Sequence, residues 1–145
     1  MIGRDAESIA DKRRQARVIA LQSLYEADLV GHNPLDALER DLAEVGCDTE
    51  VAERARRLVE GVEAHRGDID RQLVQAAPAW PLEQMPPIDK NLLRLAIYEL
   101  LFDNRQVPMK AVINEAVEIA KVFGSESSSR FVNGVLGTVV AGQAQ

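Results

Sequence analysis

The chain has 145 residues, a formal net charge of −6 at pH 7, 46% apolar residues and only 4% aromatic ones. That length suits one domain burying about two-thirds of its unfolded surface, and the apolar share excludes a disordered polymer. A single cysteine, Cys47, excludes an internal disulfide and a cysteine-rich zinc site. With no signal peptide or long apolar run, the sequence predicts a soluble cytoplasmic protein that does not enter a membrane.

Met1 to Glu7 is expected to be a loose arm. The first helix is predicted from about Ser8 to Val30, because Val18, Leu21, Leu24 and Tyr25 recur at helical spacing. Gly31-His32-Asn33-Pro34 breaks it. A short helix follows over about Leu35–Val45, with Leu35, Leu38 and Leu42 on one face. Gly46-Cys47-Asp48 is a turn, and Asp48 or Thr49 suits the next N-cap.

One long helix is expected from about Glu50 to Ala76, with a stripe of Val51, Ala55, Leu58, Val59, Val62, Ile69, Leu73 and Val74. Gly61 and Gly67 inside it each cost about 1 kcal/mol relative to alanine, so a kink or a close approach is expected there. Pro78 to Pro87 forms a stiff connector around Trp80, with one helical turn at Leu82 to Met85.

From Ile88 the sequence runs IDKNLLRLAIYELLFDNRQVPMKAVINEAVEIAKVFGSESSSRFVNGVLG. Leu92, Leu93, Leu95, Ala96, Ile97, Leu100 and Leu101 make a helix that is apolar round most of its circumference and therefore central. Pro108 fits the first turn of the next helix, where its missing N–H costs nothing. Val112, Ile113, Ala116, Val117, Ile119, Ala120 and Phe123 continue that helix, and Gly124 fits its C-terminal cap. Ser125 or Ser127 can cap a last helix with Phe131, Val132, Val135, Leu136 and Val139 on one side. Gly134 and Gly137 are expected to let it approach a neighbour closely, and Asn133 to be hydrogen-bonded within the fold. No strand alternation persists anywhere. The fold class is all-α: about six or seven helices in two packed halves, residues 8–77 and 88–142, joined by a connector at 78–87.

Catalytic and metal chemistry lack residues. His32 and His65 are the only histidines, and neither has a second ligand at metal spacing. Residues 134–137 are too short for a phosphate loop. Ser125, Ser127, Ser128 and Ser129 suit capping better than nucleophilic attack. Asp68, Asp70, Glu115 and Glu118 occupy surface-type helix positions. No catalytic residue, metal or cofactor is expected.

Charge is unevenly spread. Residues 1–17 hold five bases and three acids, whereas residues 18–103 hold 17 acids and 8 bases. A basic end on an acidic body suits two different partners. Arg13 and Arg17 lie four apart, on one helical face, with Arg14 beside them and Lys12 extending the patch. Guanidinium groups donate paired hydrogen bonds to phosphate. The plain alternative is a solvated helix start. Tyr25 and Phe131 are candidates for base stacking, or simply core residues.

This C-terminal block resembles the NusB family of bacterial transcription antitermination factors, carried by the order YEL, VP, INEA with EIAK, FG and FVNGVL. The resemblance extends to RRQARVIALQSLYE, similar to the family's arginine-rich first helix, and is weaker from Gly31 to Pro87. It implies a helical bundle of two related subdomains. It also implies that Lys12, Arg13, Arg14, Arg17, Tyr25, Ser127 and Phe131 contact boxA RNA. Many relatives carry an acidic residue at the Ser127 position, so this chain lacks a charge that would repel phosphate.

The resemblance implies a second partner, NusE, a small-subunit ribosomal protein, on the acidic face. Asp89 matches an acidic family position there, with Glu83 and Tyr98 as further candidates. The alternative for Asp89 is a helix N-terminal charge favoured by the macrodipole. The implied function is antitermination: binding boxA of nascent ribosomal RNA together with NusE and loading the antitermination complex on RNA polymerase. The rivals are a helical protein–protein adaptor without RNA binding, a detached NusB-like domain of a ribosomal RNA methyltransferase, disfavoured because the chain ends at Gln145, and a homodimer through apolar helix faces.

Overall fold

The computed structural model describes residues 8–103 and 107–143; the expected arm at Met1–Glu7 lies outside them. Among the described residues there are seven α-helices, one 3-10 turn and no strand, so the all-α expectation holds. The helices are α1 (Ile9–Val30), α2 (Pro34–Val45), α3 (Thr49–Ala64), α4 (Arg66–Ala76), α5 (Pro87–Leu101), α6 (Met109–Phe123) and α7 (Ser128–Gln143); the 3-10 turn is Leu82–Gln84. The chain divides into two compact units, Met1–Val59 and Glu60–Gln145, with the boundary inside α3.

In the first unit, local chemistry sets the helix ends. Ser8 caps α1 in a reciprocal box: its Oγ accepts the Asp11 N–H at 3.0 Å, and Asp11 Oδ2 accepts the Ser8 N–H at 3.3 Å. Gly31 ends α1 in the left-handed conformation at φ +74°, which a Cβ would disfavour. Asn33 then caps α2 and Pro34 occupies its first turn. Ala16, Ile19, Ala20 and Leu24 of α1 and Ala37, Leu38 and Leu42 of α2 are buried. Each buried leucine contributes about 1.5–3 kcal/mol relative to exposure. Arg56 of α3 grips Glu39 of α2 with two guanidinium bonds of 2.6 and 2.9 Å, which hold the Glu39 carboxyl below its usual pKa.

In the second unit α5 is central, in contact with α4, α6 and α7. Every residue from Asn91 to Leu100 is buried. That burial includes Arg94, whose guanidinium forks onto Asp70 at 2.8 and 3.1 Å and reaches Asn91 Oδ1 at 3.1 Å. A buried cation is tolerable only with such pairing. Asp70 is thus a partner for α5 rather than a plain surface acid.

Several expectations need correcting. The predicted helix over 50–76 is two helices that break at His65. Leaving helical geometry there lets the imidazole stack on Phe102, with ring centroids 4.3 Å apart and planes 14° apart. Gly61 meets the close-approach expectation, since a Cβ there would collide with the Tyr98 ring, whereas Gly67 faces open space. Val74 is exposed rather than in the stripe. Pro108 stands just before α6, as its cap residue.

Gly124 ends α6 with extended backbone (φ −93°, ψ −172°) rather than a left-handed turn. Its requirement is space: a Cβ would lie 2.5 Å from the Ser128 side chain and 2.9 Å from the Ala120 carbonyl oxygen. Asn133, Gly134 and Gly137 are exposed, and a Cβ on either glycine would meet nothing within 4 Å. Helix approach therefore does not explain those two glycines.

Candidate nucleic-acid interface

The first unit contributes the start of α1. Arg14 is exposed, Lys12 and Arg13 are half-buried, and Arg17 is only 5% exposed. The row 13–17–21 runs inward to buried Leu21, so the shared face of Arg13 and Arg17 is not the outermost one. Arg13 Nε is buried without a hydrogen-bond partner. Arg14 and half-buried Tyr25 are eleven residues apart, close to three helical turns, so they share a stripe about 16 Å long.

Lys12 is already engaged. Its Nζ lies 3.1 Å from Glu50 Oε1 and 3.4 Å from Asp48 Oδ2. These carboxylates, Glu50 foremost, raise the lysine's pKa above its usual value. They also compete for the charge that a phosphate would use.

The second unit contributes the start of α7 and the connector. Ser127 is exposed at the turn before α7. Phe131 is half-buried, its ring tilted 58° against Trp80 at 5.1 Å. Neither Trp80 nor exposed Arg130 was among the sequence candidates. In the sequence Trp80 marks only the connector, where no periodicity defines a face, and the one signal for Arg130 is its place next to Phe131.

The acidic candidates separate by exposure. Glu83 is exposed in the 3-10 turn, whereas Asp89 and Tyr98 are 4% and 7% exposed. Asp89 Oδ1 accepts the Ser128 hydroxyl at 2.7 Å. Burial raises the Asp89 carboxyl pKa, and the Ser128 bond partly offsets that. Its place in the first turn of α5 fits the helix-dipole alternative. Tyr98 fills the space left by Gly61 and directs its hydroxyl to Asp103 at 3.4 Å.

No group of three or more His, Cys, Asp or Glu residues able to hold a metal occurs among the described residues. No described helix is long and apolar enough to cross a membrane. Among the described residues, the start of α1 carries exposed Arg14 with half-buried Lys12 and Arg13, and, separately, the start of α7 carries exposed Arg130 beside half-buried Phe131. Cations and accessible rings are side chains that can meet phosphates and bases.

The NusB family model matches residues 14–141, and the chain belongs to the NusB family. It is 53% identical over 133 residues to the transcription antitermination protein NusB of Chloroflexus aggregans, covering 91% of this chain and 89% of that one. Among solved structures it resembles T. maritima NusB, with a TM-score of 0.83 and 35% identity over 89% of this chain and 90% of that one. It also resembles a chain in a crystal structure of antitermination factors NusB and NusE in complex with dsRNA. That likeness has a TM-score of 0.83 and 27% identity, over 90% of this chain and 97% of that one.

Proposed function

We propose that this protein is a cytoplasmic transcription antitermination factor that binds the boxA element of nascent ribosomal RNA together with NusE. It performs no chemistry. It holds two partners at once, so that each contact raises the effective concentration of the other, and it loads the antitermination complex onto RNA polymerase. The observation that carries this reading is the likeness, over nine-tenths of the chain, to a NusB solved with NusE and RNA.

Lys12, Arg13 and Arg14 supply phosphate contacts, Tyr25 and Phe131 supply rings, and Ser127 supplies a neutral approach. Arg17, being buried, positions the others from beneath. Glu83 is the direct acidic contact for basic NusE, with buried Asp89 and Tyr98 shaping the surface behind it.

A reconstituted elongation assay on a template with boxA upstream of a terminator tests this. Adding the protein with NusE is expected to raise read-through, and the Arg13→Glu, Arg14→Glu double variant to abolish the gain. A gain that survives scrambling of boxA would favour a protein-only adaptor.

A further inference from the structure

We propose that the groove between the connector and α7 takes one unstacked nucleobase of single-stranded RNA, stacked on Trp80, with an adjoining phosphate on Arg130. This rests on the RNA-binding reading above and adds a subsite to it. The groove has a volume of about 320 Å³, lined by Ala77, Trp80, Arg130, Phe131, Gly134 and Thr138 among others. That is near the lower end of the ~300–1,000 Å³ range of small-ligand sites, suited to one planar group rather than a helix.

Three features of the groove favour a base with its phosphate. Trp80 is 41% exposed although it is the largest apolar side chain in the protein. Its tilted contact with Phe131 fixes the indole without covering it. Every base has a π-face, so an exposed, fixed indole is a stacking platform.

Arg130 is exposed at the same groove and has no carboxylate partner among the described residues. In a chain with net charge −6, a cation with no carboxylate partner among the described residues, beside two rings, matches a phosphate beside a base. An apolar peptide anchor would use the rings and leave Arg130 unanswered.

Gly134 lines the groove from within α7, where glycine weakens a helix relative to alanine. A Cβ there would meet no protein atom within 4 Å. The missing side chain therefore serves no packing inside the fold; it keeps this wall of the groove open for something that approaches it.

Trp80 is the only tryptophan in the chain, so its emission reports this groove alone. The experiment titrates the full chain with end-labelled boxA RNA, following RNA anisotropy and tryptophan emission together. Trp80→Ala and Gly134→Leu are compared, with circular dichroism checking that each is folded; the second fills the groove and leaves the indole in place. Emission is expected to be quenched in step with anisotropy. Either variant is expected to weaken binding about five- to 150-fold, the loss of one stacked base.

Normal anisotropy with unchanged emission and unchanged affinity in both variants would overturn the subsite and leave the RNA reading standing. Emission that moves with NusE alone and not with RNA would assign the groove to protein and overturn it too. No anisotropy change in the unsubstituted protein at any RNA concentration would overturn both readings.

Discussion

Ser128 donates its hydroxyl to the buried Asp89 carboxylate at 2.7 Å, tying the first turn of α7 to the first turn of α5. The same Oγ accepts the Ser125 N–H at 2.9 Å, so one hydroxyl also orders the turn that carries Ser127. A residue matched to a partner surface is thus a structural link between the central helix and the start of α7.

Burial raises the Asp89 pKa above its usual value of 3.8. The folded state then holds that proton more tightly than the unfolded chain. Stability linked to this group is present below the usual pKa and is lost as pH rises through the raised one. Asp89→Asn keeps an oxygen to accept the Ser128 hydroxyl and removes the buried charge. Urea melts are expected to show the variant gaining on the parent protein between pH 4 and pH 7. A variant that loses more stability at pH 7 than at pH 4 would contradict this.

Gly61 gives way to Tyr98, whose ring occupies the place a Cβ would take. Glycine to alanine inside a helix ordinarily stabilises by about 0.5–1 kcal/mol. Here Gly61→Ala is expected to destabilise by ~1–3 kcal/mol, the cost of overpacking a buried ring. Chemical denaturation measures it, and pairing the change with Tyr98→Leu should recover part of the loss. A stabilised single variant would show that Tyr98 moves freely.

Lys12 is held by Glu50 and Asp48, so part of the cationic surface is internally neutralised. In the Asp48→Asn, Glu50→Gln double variant, RNA is expected to bind more tightly. The slope of log affinity against log salt should steepen by up to about 0.7, the part of one single-strand phosphate contact that the two carboxylates withhold from Lys12. An unchanged slope would mean that Lys12 never faces the RNA.

Ser127 stands exposed beside Ser128, at the approach to Phe131. Ser127→Asp places a negative charge there and is expected to weaken boxA binding, most at low salt where screening is least. Filter binding at two ionic strengths decides it. Tighter binding by the variant would remove the electrostatic argument for the neutral residue.

Much of the fold was legible because the signals are local. Ser8, Gly31 and the Asn33-Pro34 pair set helix ends through their own backbone chemistry, and the apolar run from Leu92 to Leu101 marks the central helix whatever surrounds it. A kink was legible from Gly61 and Gly67, but its place at His65 was not, because the apolar stripe passes through that residue in phase and the stacking on Phe102 links residues far apart in sequence. Burial of Arg17 and Asp89 was hidden for a similar reason: helical spacing shows which residues share a face, and what packs opposite decides whether that face is open. Trp80 lies in a connector without periodicity, so only its folded position beside Phe131 marks it.

The central claim is that one small helical protein bridges RNA and a protein partner. The most direct measurement is binding of labelled boxA RNA and a scrambled control at two salt concentrations, with and without NusE. The account predicts selective binding that strengthens with NusE, weakens with salt and is lost in the Arg13→Glu, Arg14→Glu variant. Equal, weak binding to both RNAs under every condition would contradict it and leave the arginines as a solvated helix face.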